Sequence, residues 1–254
     1  MTSELTPGPG AHPDPGGMGV GPHDDEPHES GLNNRLNSLR AAVLGANDGI
    51  VSTASIVVGV AGATADRASI LIAGVAGLAA GSLSMGAGEY VSVSTQRDSE
   101  LALLETERRE LAEDPEDELA ELAGIYRDKG LDATLALEVA RQLTEHDALG
   151  AHAEAELGID PDDITSPWNA ALASMLSFTL GAVLPLLTIL LVVDSARVWV
   201  TVGAVAIALA LTGWASAALG YGAPRRAILR NVLGGLFAML ITYGIGSVLG
   251  THVG

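Results

Sequence analysis

The chain has 254 residues, no cysteine, 31 acidic against 13 basic side chains, and a formal net charge of −18. Without cysteine there are no disulfides, thiolate zinc sites or iron–sulfur clusters, so any transition metal it holds must use oxygen, nitrogen or thioether donors. The acidity disfavours nucleic acid and anionic lipid as charge-matched partners and favours cations.

Residues 1–32 are rich in Pro, Gly, His and Asp and lack both an apolar core-forming run and a basic segment leading into an apolar one. They read as a disordered tail rather than a signal peptide. Its His12, His23 and His28 are weak metal donors, and a solvated tail is the simpler reading.

From residue 33 onward the apolar residues gather into five blocks, at about 41–63, 69–93, 168–193, 198–221 and 227–249. Each compares with the roughly 20 residues that a membrane-spanning helix needs. The first is polar for a span, with Asn47, Asp48, Ser52, Thr53 and Ser55, and is expected to face protein or a wet path. Gly74, Gly77, Gly81, Gly86 and Gly88 make the second a packing helix, since small residues let helices approach closely in lipid. Pro185, in the middle of the third, is expected to break the hydrogen-bond ladder and kink it. Arg35 and Arg40 precede the first block and Arg225, Arg226 and Arg230 sit between the fourth and fifth, whereas the two short loops carry one basic residue each. The positive-inside rule therefore assigns the N-terminus to the cytosol, and five spans assign the C-terminus to the other side.

The stretch 97–163 separates the first two spans (33–96) from the last three (164–254) and carries 21 acidic against 6 basic residues, 15 of the 18 net negative charges. The same topology makes it cytosolic. No Pro or Gly separates Val93 from Asp114, so the second span is expected to continue as one long helix. A new helix begins at Pro115, with Asp114 as a candidate N-cap, and ends at Gly130; a third runs from about 132 to 157, is stopped by Gly158, and is expected to break near Gly150. The fold class is thus all-α: five transmembrane helices with a three-helix cytosolic domain inserted between the second and third spans.

On those three helices Glu107 and Glu110, Glu118 and Glu121, and His152 and Glu156 form pairs three or four residues apart, each pair on one face. Together they offer the six or more donors that octahedral divalent ions require. In an acidic helix such spacing also arises by chance, and a solvated face is the plain alternative. Asp48 is an ionisable group in an apolar stretch, costly by a few kcal/mol and therefore a functional candidate. Met85 adds a soft thioether that needs no deprotonation, and Glu89, one turn on, is a further acid near membrane depth.

The strings GANDGIVSTASIVVGVAGA, GSLSMGAGEYVSVSTQRDSE and HAEAELGI followed by NAALASMLSFTLGAVLPLL, with the Glu-x-x-Glu pairs between them, resemble the vacuolar iron transporter family over residues 33–252. The resemblance implies a homodimer of five-helix protomers in a lipid bilayer that exchanges cytosolic Fe²⁺, and often Mn²⁺, for protons, with Co²⁺ and Zn²⁺ as further candidate cargo and no prosthetic group. It assigns Glu107, Glu110, Glu118, Glu121 and Glu156 as metal ligands, and Asp48 and Met85 to the ion path. At position 152 plant-type members carry methionine; His152 keeps a donor but changes its chemistry, which reopens the choice between iron and manganese. No organelle signal is evident and the composition is Ala/Gly-rich, so a bacterial plasma membrane is the expected location. Two other readings, a di-iron carboxylate oxidase and a membrane-anchored metal buffer or sensor, account for the carboxylates but leave Asp48 and Met85 without a role.

Overall fold

The computed structural model describes residues 32–220 and 222–253, which form seven α-helices and one π-helical turn, with no strand among the described residues. The tail histidines His12, His23 and His28 lie outside the described residues. Five helices are long and apolar enough to cross a membrane: α1 (Leu32–Ala63), α2 (Arg67–Glu113), α5 (Pro167–Leu191), α6 (Arg197–Leu219) and α7 (Pro224–Val253). Between α2 and α5 lie α3 (Pro115–Asp128), α4 (Ala133–His152) and the π-helical turn Ala153–Leu157.

The polar first block becomes the central helix. Ile50, Ala54 and Val58 of α1 are buried against Val205 and Leu209 of α6 and Met239 of α7, while Val57 packs with Ile70 of α2 and Ile189 of α5. Thr53 and Ser55 of α1 are buried as well, as expected for a span that faces protein. Close approach to α5 depends on bare backbone: a Cβ on Gly49 would collide with the Phe178 carbonyl, and one on Gly181 with the carbonyl of Ala46. The outer surface presents large apolar side chains, with Leu180 74% and Trp199 78% exposed. Such a surface is a liability in water and is what hydrocarbon accepts.

At one end of the bundle the α1–α2 and α5–α6 turns are tied together. Arg67 donates from Nε and Nη2 to Asp194 Oδ1 at 3.0 and 2.9 Å, and to the carbonyls of Leu190 and Val192. The buried Arg197 reaches the same carboxylate oxygen at 3.4 Å and the Ala65 carbonyl at 3.1 Å. These arginines satisfy carbonyls that the helix ends leave unpaired.

Asp66 caps α2 by accepting from the Ser69 amide at 2.8 Å. The helix then runs 47 residues, about 70 Å at 1.5 Å per residue. That is more than twice the roughly 30 Å of a hydrocarbon core, so its charged C-terminal half extends beyond any bilayer that holds its apolar half. There it meets α3 and α4. Gly130, at φ 106°, closes the α3–α4 turn, where a side chain would be strained. Asp132 caps α4 by accepting from the amides of Thr134 and Leu135. Leu122, Ala123 and Ala140 form the small core of this acidic lobe, with Leu119, Tyr126 and Leu143 around it.

Three expectations need correction. Asp114 occupies the N-cap position of α3, but its side chain makes no capping bond; its carbonyl accepts from the Asp117 and Glu118 amides instead. The break in the third extramembrane helix falls at Asp147 (φ −159°, ψ 95°) rather than at Gly150. The Asp147 carboxylate accepts from the Gly150 amide at 3.0 Å, and a Cβ at Gly150 would push that carboxylate from its place. Pro185 interrupts the hydrogen-bond ladder within α5 as expected, and the Thr188 hydroxyl donates to the neighbouring carbonyls of Leu184 and Pro185. Of the five glycines of the second span, Gly74, Gly77, Gly81 and Gly86 face α1 or α5, but Gly88 has nothing within 4 Å.

Candidate metal centre

Glu107, Glu118 and His152 reach one point from three helices. Leu104 and Glu107 lie on the inward face of α2, Glu118 and Leu122 on that of α3, and His152 ends α4. One ligand atom from each of the three acidic-lobe residues lies within 4.8 Å of the other two. His152 Nδ1 is 2.9 Å from Glu107 Oε1, 3.5 Å from Glu118 Oε2 and 3.9 Å from Glu156 Oε2. His152 is fully buried, Glu107 is 3% exposed and Glu118 8%.

Despite these short distances, Glu107 Oε1 and both imidazole nitrogens of His152 are buried without a hydrogen-bond partner. A buried polar atom left unpaired costs about 1–3 kcal/mol. Such a cluster persists where something else answers its lone pairs, and carboxylate oxygens beside an imidazole nitrogen are a donor set for Fe²⁺, Mn²⁺, Co²⁺ or Zn²⁺.

The electrostatics agree. Burial first, then repulsion from Glu156, Glu118, Glu110 and Glu121, raises the Glu107 carboxyl from 4.5 to about 7. Glu118 is raised by burial and by Glu121, Glu110 and Glu156. Burial lowers His152, partly opposed by Glu156 and Glu121, which favours the neutral imidazole, the form that can donate to a metal. A cluster that shifts its acids towards the protonated form and its base towards the neutral form is short of positive charge.

The six expected ligands therefore divide in two. Glu107, Glu118 and His152 converge in the interior, while Glu110, Glu121 and Glu156 stand at the exposed rim. Glu156 owes its place to the π-helical turn, which is closed by Gly158 at φ 65° and by amide bonds from Gly158 and Ile159 to the Ala153 carbonyl.

In the span region Asp48 is half-buried and its Oδ1 accepts from the Ser52 hydroxyl at 2.5 Å. Met85 and Glu89 are half-buried on α2. One polar cluster escapes the sequence reading: Asn47 Oδ1 accepts from Thr212 of α6 at 3.2 Å and from Asn231 of α7 at 3.4 Å. Only Asn47 stood out in the sequence, because nothing in the local pattern around Thr212 or Asn231 shows which side of its helix turns towards α1.

Five membrane-length helices, one of them prolonged into a lobe with a buried carboxylate and histidine cluster, define an integral membrane protein with a candidate cation site. The chain belongs to the VIT family, whose sequence model matches residues 39–247. It is 42% identical over 227 residues to a vacuolar iron transporter of Acanthamoeba castellanii, covering 88% of this chain and 82% of that protein. Vacuolar iron transporter homolog 5 of Oryza sativa subsp. japonica is 39% identical over 212 residues, 83% of this chain and 80% of that protein. Homolog 4 of Arabidopsis thaliana is 35% identical over 219 residues, 86% and 87% of the two chains.

Proposed function

We propose that this protein is a transporter that moves Fe²⁺, and with it Mn²⁺, out of the cytosol in exchange for protons. The observation that carries the reading is the buried meeting of Glu107, Glu118 and His152, with unpaired polar atoms, on the continuation of a membrane helix. Residues 97–163 act as a cytosolic capture domain: Glu110, Glu121 and Glu156 draw the ion to the rim, and the three interior residues hold it. From there it passes by Glu89 to Met85 and Asp48 between the spans. A proton arriving from the far side neutralises Asp48, weakens its hold and frees the ion outward. Metal and proton compete for the same carboxylates, which is sufficient for coupling because ligands must be deprotonated to bind. The N-terminus faces the cytosol and the working unit is a homodimer, as the arginine distribution and the family resemblance support.

The test is flux of Fe²⁺, Mn²⁺, Co²⁺ and Zn²⁺ into proteoliposomes under an imposed pH gradient, with Asp48→Asn as the comparison. Uptake that collapses with the gradient and in the variant is expected. Tight binding without flux of any of the four would leave only a membrane-attached buffer.

A further inference from the structure

Of the five methionines in the chain, three fall within the spans, and they are not equivalent. Met239 is 2% exposed in the α1–α6–α7 core, where its thioether is packing. Met85 belongs to the path proposed above. Met175, on α5, is half-buried and lies against the bare backbone of Gly86, the residue next to Met85: a Cβ added to Gly86 would come within 2.6 Å of the Met175 sulfur.

Its backbone is held by polar contacts. The Met175 carbonyl accepts from the Thr179 hydroxyl at 2.8 Å and from Ser82 of α2 at 3.2 Å, and the Ser82 and Thr179 hydroxyls are 3.0 Å apart. Around it, the same stretch of α5 receives both helices that carry path residues. Gly45 and Gly49, on either side of Asp48, lie against Ser174, Ser177 and Phe178; Gly81 and Gly86 of α2 lie against Phe178, Met175 and Ala171.

We propose that Met175 is a second thioether contact for the ion, a selectivity-setting residue that acts with Met85. The inference rests on the transport reading above. Thioethers are neutral and soft, so a pair of them favours Fe²⁺ and Co²⁺ over the harder Mn²⁺ without holding the ion by charge.

The test compares Co²⁺ with Mn²⁺ flux in proteoliposomes of the full chain. Met175→Leu keeps an apolar side chain of similar size and removes the sulfur. The Co²⁺ to Mn²⁺ flux ratio is expected to fall about tenfold, the low end of what losing a supporting group costs at a metal site, while Met239→Leu leaves it at the wild-type value. An unchanged ratio in Met175→Leu, with normal wild-type flux, overturns this inference alone; absence of flux for every metal in the wild type overturns the transport reading and this inference with it. Should Met175→Leu not yield monodisperse protein, Met175→Gln carries the test, since its amide oxygen shifts the ratio towards Mn²⁺ and a wild-type ratio again refutes the role of the sulfur.

Discussion

Moving the medium from pH 8 to pH 6 perturbs the acidic lobe at one identifiable atom group. With Glu107 titrating at about 7, its ionised fraction falls from about nine-tenths to about one-tenth over that interval, and an ion that must displace the proton loses about tenfold in apparent affinity. Burial lowers the His152 pKa, so its proton competes with the ion less than that of a free imidazole would. Glu118, raised by burial and by neighbouring carboxylates, acts in the same direction. The assay is competition for Mn²⁺ or Co²⁺ against a fluorescent chelator of known pH dependence, with the full chain in detergent. Glu107→Gln should bind weakly at both pH values and lose most of the difference between them. A wild-type affinity that is flat from pH 8 to pH 6 would refute the argument that a buried, protonated Glu107 gates the centre.

The same group governs stability without metal. Because its folded pKa lies above the unfolded one, Glu107 contributes stability below about pH 4.5 that is lost as pH rises through about 7. The metal-free lobe should therefore be less stable at pH 8 than at pH 6 by about 1 kcal/mol, the part of the shift that falls in that interval, and melt at a lower temperature, and a divalent ion should reverse the order in thermal scans. Burial predicts an asymmetry between carboxylates: Glu107→Gln and Glu118→Gln should each weaken ion binding at least about tenfold, and the exposed Glu110→Gln and Glu121→Gln much less; equal losses in titrations of all four would contradict it. His152→Leu should reduce Co²⁺ affinity more than Mn²⁺ affinity, since imidazole adds more to the later metal; equal loss in the same competition assay would remove His152 from the ligand set. Gly49→Ala drives a methyl into the Phe178 carbonyl and should cost about 1–3 kcal/mol by overpacking, seen as a lower melting midpoint in detergent; an unchanged midpoint would mean that α1 and α5 separate without penalty.

Much of the architecture was legible because it is written in local signals. An uninterrupted run of helix formers from Val93 to Asp114 produced one 47-residue helix, and Gly130 and Gly158 ended their helices at the positive φ that glycine tolerates. The misplaced break shows the limit of such signals. Gly150 attracted attention as a helix breaker, but the chain bends at Asp147, where a carboxylate takes over an amide of the following turn, and the glycine only makes room for it. The candidate ligands behaved likewise. Spacing marks which acids share a face and is silent about which face turns inward; for Glu107 and Glu118 the clue lay in the apolar residues one turn away, Leu104 and Leu122, which draw that side of each helix into the core.

That partition changes what the acidic lobe can do. Acids spread evenly over a helical surface bind cations loosely and are screened by salt. Three ligands withdrawn from water, one of them a neutral imidazole, hold an ion only after protons leave, and the surrounding carboxylates at the rim raise the local cation concentration without competing for the interior positions. The histidine matters most to this division. A third carboxylate at position 152 would add another like charge to a buried pair already raised by burial and by the surrounding carboxylates, whereas a neutral imidazole supplies a donor and no charge, so the centre can stay packed while empty and still close on a divalent ion.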